Sequence, residues 1–202
     1  SFAKELKKNN AFGRIVVKPF RGVASESVTL CDTFDDVQEA WYKITATQVF
    51  GSAERHNAVL VQEYLEGTEY AVDVASRDGE HKVAAVWRYD KRPANGAAFC
   101  YFKTELVDTS MDDQVQSVCD YMISALRALG VKWGLSHNEV IVTNDGRGPL
   151  LIEVNCRQHN MDFCPLTASC IGYNAIDMCL VAFLLDKEEW DQFPDVPVLR
   201  QH

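Results

Sequence analysis

The chain has 202 residues, 47% of them apolar and 24% charged, with a formal net charge of −9. This apolar share belongs to an ordinary globular protein and excludes wholesale disorder, and no run reaches the roughly 18 consecutive apolar residues of a membrane-spanning helix. With 29 acidic against 20 basic residues, binding along a nucleic-acid backbone is not expected, although one small anion can still be held at a locally basic spot.

The first residues lack an apolar core, so no signal peptide is expected. The chain starts Ser1-Phe2-Ala3 without methionine, and the expectation is a processed or excised piece. Residues 14–17 read as a short buried strand closing at Lys18-Pro19, because proline cannot donate to a ladder. Residues 26–31 read as its hairpin partner across the small-residue loop 20–25. Asp32 or Thr33 offers an N-cap for a helix over 34–50, with Phe34, Val37, Trp41, Ile44 and Gln48 recurring at helical spacing and Gly51 ending it. Residues 58–62 read as a buried strand, Glu66-Gly67 as a turn and 69–76 as the next strand. Arg77-Asp78-Gly79-Glu80 is a hairpin turn with Asp-Gly at its centre, and 82–89 returns. Pro93, Asn95 and Gly96 mark a loop before a strand over 98–106. Ser110 is expected to cap a second helix, with Asp112 and Asp113 in its first turn, Val115, Val118, Cys119, Met122 and Leu126 along its apolar face, and Gly130 at its end. Strands over 133–143 and 149–155 flank a turn at 144–148, and a last helix is expected over 173–186. Trp133 and Trp190 read as core aromatics. Strands and helices mixed with hairpins give an α+β fold with antiparallel sheets.

Seven cysteines occur without any C-x-x-C pair, which removes zinc-ribbon and thioredoxin-type motifs. They read as buried thiols of a reducing compartment, and a cytoplasmic location is expected. Cys156, His159, Cys164 and Cys170 lie close in sequence but match no closed zinc pattern.

Three segments carry chemistry. In the first, His137-Asn138-Glu139 precedes Glu153-Val154-Asn155-Cys156-Arg157. Glu139 and Glu153 lie seven residues either side of Gly146, so a hairpin brings them together. Alternation adds Asn155 to that face, and Arg157 too if the strand continues. Two carboxylates and an amide oxygen suit Mg²⁺ or Mn²⁺, and an adjacent arginine suits a transferring phosphoryl group. Second, Lys18 leaves its strand beside the loop holding Gly22 and Ser25, where an ammonium and backbone N–H groups can meet an anion. The loop lacks the Walker A order. Third, Gln62-Glu63-Tyr64-Leu65 runs out of a buried strand toward Glu69; backbone there can meet a flat heteroaromatic edge, and Glu69 can accept from ribose hydroxyls. Each segment also has a purely structural reading: a solvated hairpin face, an ordinary hairpin turn and a charged β-turn. His137 and His159 read as structural histidines or as groups that position a phosphate or carboxylate.

In this order and spacing the segments resemble the ATP-grasp superfamily, over nearly the whole chain from Arg14 to Leu185. The resemblance implies two α+β subdomains with antiparallel sheets clasping ATP, divided here as residues 1–66 and 67–202. It implies that Lys18 contacts the α- and β-phosphates, that 20–25 with Gly22 and Ser25 cover them, that Gln62, Glu63, Tyr64 and Leu65 meet adenine, and that Glu69 binds ribose. Glu139, Glu153 and Asn155 match its magnesium (or manganese) ligands and Arg157 its catalytic arginine, while Lys91 or Arg88 sits where a cation approaches the γ-phosphate. Members usually carry an N-terminal domain, which would lie in cis upstream of Ser1. Gln158-His159-Asn160-Met161 also departs from the Gly or Pro that often follows the arginine. The implied activity is an ATP- and Mg²⁺-dependent ligase that activates a carboxylate as an acylphosphate for attack by an amine, of the amino-acid ligase kind. Its partners are then small-molecule carboxylates and amines, with neither nucleic acid nor membrane; a homodimer is compatible with this. The competing readings are a non-catalytic nucleotide-binding module or inactive fragment, and a plain interaction domain.

Overall fold

The computed structural model describes residues 13–22, 26–110, 113–159 and 163–200. The chain divides into two compact units, Ser1–Leu65 with Lys91–Cys100 and Glu66–Asp90 with Tyr101–His202. A linear cut at 66/67 leaves 91–100 in the second part, whereas compactness groups that segment with the first.

In the first unit, β1 (Ile15–Pro19) lies between β2 (Thr29–Cys31) and β3 (Val59–Glu63), antiparallel to both. Helix α1 (Phe34–Thr45) starts at a capping box in which Thr33 accepts from the Asp36 N–H and Asp36 accepts from the Thr33 N–H. Val37, Ala40 and Ile44 bury against Ile15, Val17 and Cys31, with Val59 and Val61 at the margin. The helix stops five residues before the expected end at 50. β-Branched Thr45, Thr47 and Val49 disfavour its continuation, and the Thr45 and Thr47 hydroxyls donate to the carbonyls of Trp41 and Ile44, each at 2.8 Å. Trp41 turns outward, so the buried stripe runs through Ala40 in its place.

The second unit is built on a five-stranded antiparallel sheet in the order β6-β5-β4-β7-β8, formed by β4 (Gly67–Arg77), β5 (Glu80–Ala94), β6 (Ala97–Leu106), β7 (Gly134–Thr143) and β8 (Gly148–Asn155). Asp78-Gly79 turns the β4–β5 hairpin with both φ angles positive, at 49° and 83°, as a two-residue I′ turn requires. Asn95-Gly96 repeats this at 51° and 80°. The expected loop at 93–96 shrinks to that turn, because the β4 register ends at Glu69↔Tyr89 and Pro93 is tolerated on a strand side that needs no donor. Gly67 has no substitute: a Cβ there would lie 2.0 Å from the Val142 carbonyl oxygen.

The sheet is buried on both faces, and β4 shows how. Tyr70, Val72 and Val74 point to one side and pack with Val83, Val86 and Val140 against Val115, Val118, Cys119, Met122 and Leu126 of α2 (Asp113–Ala128). The smaller Ala71 and Ala75 point to the other side. That side carries Trp87, Ile171 and Phe163, then Met178, Ala182 and Trp190. Apart from Trp87 of β5, these come from α3 (Cys164–Cys170), α4 (Ala175–Leu184), α5 (Lys187–Asp191) and their connections. The helix expected over 173–186 is α4 over Ala175–Leu184, flanked by two shorter helices outside that range, with Gly172 at φ 108° between α3 and α4 and an Asn174–Asp177 capping box starting α4. Arg77 caps the C-terminal end of α4 through the carbonyls of Val181, Ala182 and Leu185. Trp190 is fully buried as expected, while Trp133 is 45% exposed against Phe183. Ser110 bonds to Asp108, and Asp112 lies outside the described residues.

Candidate active site

The β7–β8 hairpin sets Glu139 directly opposite Glu153 and His137 opposite Asn155. Its turn alone would not do this. From Thr143↔Gly148 to Val140↔Leu151 the regular register would pair Glu139 with Ile152 and send Glu153 to the α2 side. A β-bulge between Glu139 and Val140 inserts Ile152 and restores Glu153 to the face of Glu139. The Asn155 amide then donates to Glu153 Oε1 at 2.8 Å.

A second bulge lies between Asp73 and Val74, with Ala84 as the inserted residue. It brings Trp87 round to the side of Asp73. Asp73 is the residue that the sequence reading missed. It is 4% exposed and takes three donors. The Trp87 indole N–H reaches Oδ2 at 2.7 Å, His137 Nδ1 reaches Oδ1 at 2.8 Å and His159 Nδ1 reaches Oδ2 at 3.2 Å. Burial opposes ionisation of Asp73, but the hydrogen bonds from His137 and His159 outweigh it and hold the carboxyl below its ordinary range. Burial likewise opposes charge on His137, yet its bonds to Asp73 and Glu139 raise its pKa to about 9. Burial and the Glu139 charge push the Tyr89 hydroxyl upward, so it stays protonated. Tyr89 Oη lies 3.0 Å from His159 Nε2 and 3.4 Å from His137 Nε2, and His137 Nε2 lies 3.6 Å from Glu139 Oε1. A lone aspartate inside the buried run Tyr70-Ala71-Val72-Asp73-Val74-Ala75 is the signal that could have found this hub, since a buried charge requires partners.

Other expected residues fall elsewhere. β8 ends at Asn155, so the strand does not continue to Arg157. Arg157 is exposed on a bend, with its N–H bonded to the Asn155 carbonyl and its guanidinium to that of Gln158. Arg88 is not brought to this face. It lies opposite Tyr70, on the α2 side, and its guanidinium pairs with Glu105 at 2.6 Å. Glu69 lies between Tyr89 and Ile141, on the Asp73 side by alternation.

Within the first unit, Lys18 stands opposite Leu60 and Val16 opposite Gln62. Lys18 and Gln62 therefore share the sheet face turned away from α1. Glu63 is exposed at the end of β3. The Tyr64 N–H extends the ladder to the Arg14 carbonyl at 2.9 Å, and its ring lies under the Arg14 guanidinium and 6.5 Å from that of Phe99. Leu65 is half-buried. Lys91 belongs to the hairpin segment of this unit. Gly22 is exposed, and a Cβ built there would meet the Pro19 ring at ordinary contact distance. Ser25 lies outside the described residues.

This fold, two antiparallel α+β units with a bulge-aligned acidic hairpin, defines a class. Residues 12–163 match the sequence profile of the ATP-grasp domain. The chain belongs to the ATP-grasp family. It is 28% identical over 182 residues to dapdiamide A synthase of Enterobacter agglomerans, covering 90% of this chain and 42% of that protein. Among solved structures it is similar to the L-amino acid ligase of Bacillus licheniformis (TM-score 0.67, 21% identity, 88% of this chain and 41% of that one). It is also similar to the biotin carboxylase domain of Hydrogenobacter thermophilus 2-oxoglutarate carboxylase, solved with MgADP and bicarbonate (TM-score 0.67, 13% identity, 90% and 39%). The chain thus spans about two fifths of the length of these relatives.

Proposed function

We propose that this chain is the nucleotide-binding part of an ATP-dependent carboxylate–amine ligase acting on amino acids. The observation that carries the reading is the convergence of Glu139, Glu153 and Asn155 on one sheet face by a bulge in β8. The names of the synthase and ligase relatives favour this chemistry, and the MgADP in the carboxylase structure favours the cofactor.

The donor set fits the ion: carboxylate and amide oxygens are the hard ligands that Mg²⁺ takes. Glu139, Glu153 and Asn155 would hold it, and when bound it offsets the charge of the nucleotide phosphates. The chain's own cations do the rest. Lys18 pairs with phosphate oxygens, and Arg157, exposed beyond β8, balances charge on the phosphoryl group as it passes from ATP to the substrate carboxylate. ADP leaves, and an amine displaces phosphate from the resulting acylphosphate. Gln62, Glu63 and Leu65 meet the base and Glu69 the ribose. Lys91 completes the cation set. Arg88 does not enter this assignment. Seven free thiols fit a reducing cytoplasm.

Isothermal titration with ATP·Mg²⁺ tests the site. The double change Glu153→Gln with Asn155→Ala should abolish Mg²⁺-dependent nucleotide binding while leaving the thermal midpoint in the absence of nucleotide within a few degrees. Unchanged titration of the double variant would remove the metal assignment.

A further inference from the structure

Arg157 is carried on a loop whose two ends meet at one side chain. Asn155, the last residue of β8, is the register partner of His137. His159 returns to that same residue: its ring lies 4.2 Å from the His137 ring, tilted by 33°. Arg157 is the middle residue of the span between them. Its own bonds, from the N–H to the Asn155 carbonyl at 2.8 Å and from Nη1 to the Gln158 carbonyl at 2.9 Å, shape the bend from within. Cys156 and Arg157 are exposed. The far end of the span is fixed by His159.

The His159 ring is held on every side. Nδ1 donates to Asp73 Oδ2 at 3.2 Å, and Nε2 accepts from the Tyr89 hydroxyl at 3.0 Å. This neutral tautomer leaves each neighbour satisfied. Protonated His137 gives one N–H to Asp73 and turns the other toward Glu139, while Tyr89 gives its proton to His159. Phe163 lies 4.8 Å from the ring, and Trp87 stands perpendicular to it at 5.3 Å. The Trp87 indole N–H reaches the same Asp73 oxygen at 2.7 Å. Only 13% of the His159 side chain is exposed. A ring held in this way fixes the backbone that bears it, and closing a short span at both ends removes much of the freedom of the residues between.

We infer that His159 is a positioning residue: it anchors the loop after β8 to Asp73 and Tyr89 of the sheet and so holds Arg157 in place to meet the transferring phosphoryl group. This rests on the ligase reading for what Arg157 does, and on the loop alone for how Arg157 is held. Stabilisation of developing charge requires a preorganised donor, and a displacement of about 1 Å can cost on the order of 100-fold in rate.

Trypsin reads the anchor without nucleotide. Cleavage after Arg157 requires the loop to open, whereas cleavage after Lys82, buried in β5, requires the sheet to open. His159→Ala should speed cleavage after Arg157 on the order of tenfold, as loss of one or two buried hydrogen bonds does. Cleavage after Lys82, mapped in the same digests by mass spectrometry, should stay unchanged. Tyr89→Phe removes only the hydroxyl and should act in the same direction by less, which keeps the test open if His159→Ala disturbs folding. Calorimetric titration with ATP·Mg²⁺ and ADP·Mg²⁺ reads the consequence. Arg157→Ala should lower the ratio of ATP to ADP affinity on the order of tenfold, the effect of one charged hydrogen bond. His159→Ala should lower that ratio in the unaltered chain and have no further effect in the Arg157→Ala background. Cleavage after Arg157 that stays slow in both variants, cleavage that rises equally after Lys82 in both, or a His159→Ala effect on the ratio that persists without Arg157 would each overturn the positioning role. If the unaltered chain bound neither nucleotide, the ligase reading would fall instead, and the cleavage rates would still decide whether His159 anchors the loop.

Discussion

Asp73 shows what one buried charge demands. It takes the Trp87 indole and the two histidines at once, so removing it orphans three polar groups in a dry environment. Breaking a buried ion pair from one side costs about 3–5 kcal/mol. Asp73→Ala should therefore lower the urea midpoint by that equivalent, and a loss below about 1 kcal/mol would mean that the histidines find other partners. The thiols make a contrasting case. Burial pushes Cys119 up to about 12, and it sits on the buried face of α2 with no exposed surface, whereas Cys156 is exposed. Reactivity requires the thiolate and access to it. An aromatic disulfide reagent at neutral pH should label Cys156 first and Cys119 only on unfolding, as read by peptide mapping. Early labelling of Cys119 would contradict its burial.

At the scale of elements, the turns were legible and the bulges were not. Asp78-Gly79 and Asn95-Gly96 announce themselves because positive φ restricts the residue choice at each position. A bulge has no such signature: Ile152 and Ala84 are ordinary strand residues. Their insertion is decided by which side chains the two faces of the sheet must receive. The proximity of Glu139 and Glu153 could be anticipated from their symmetry about Gly146, but the observed turn register is offset by one residue, and only the bulge restores the pair. Arg88 failed for the same reason. Its face depends on the register beyond Ala84, which local sequence does not carry. His159 and Asp73, 86 residues apart, meet only through tertiary packing. The Thr33 cap was readable, and α1 offers a test. Thr33→Ala removes one arm of its capping box and should cost about 1 kcal/mol. The reciprocal arm titrates. The Thr33 hydroxyl and N–H hold the Asp36 carboxyl below its ordinary value, so its contribution is complete above that value and is lost as pH falls through the depressed one. Asp36→Asn should therefore lower stability at neutral pH and converge with the unaltered chain in acid, in denaturant titrations across the acid range. A difference that grew on acidification would have the wrong sign.

At the scale of the whole molecule, the division into two units rests on separate cores. Ile15, Val17, Cys31, Val37, Ala40 and Ile44 form one cluster, and the clusters on either face of the larger sheet draw on none of these residues. An α+β reading from the sequence gives the kind of layer but not this partition, because residues 91–100 join the first unit from the far end of a hairpin rooted in the second. Cores without shared partners should open independently, since protection from hydrogen exchange follows the local cooperative unit. Ile44→Ala and Met122→Ala each delete a fully enclosed side chain and should cost about 2–5 kcal/mol in their own unit. Exchange measured by mass spectrometry should then rise in β1, β3 and α1 for the first variant and in β4, β7 and α2 for the second, with little crossover. If either variant raised exchange equally in both sets, the two cores would be one cooperative unit. The same measurement with ATP·Mg²⁺ present carries the functional consequence. If Glu139 and Glu153 hold the ion of ATP·Mg²⁺, exchange in β7 and β8 should slow, and unchanged exchange in those strands would remove the metal assignment.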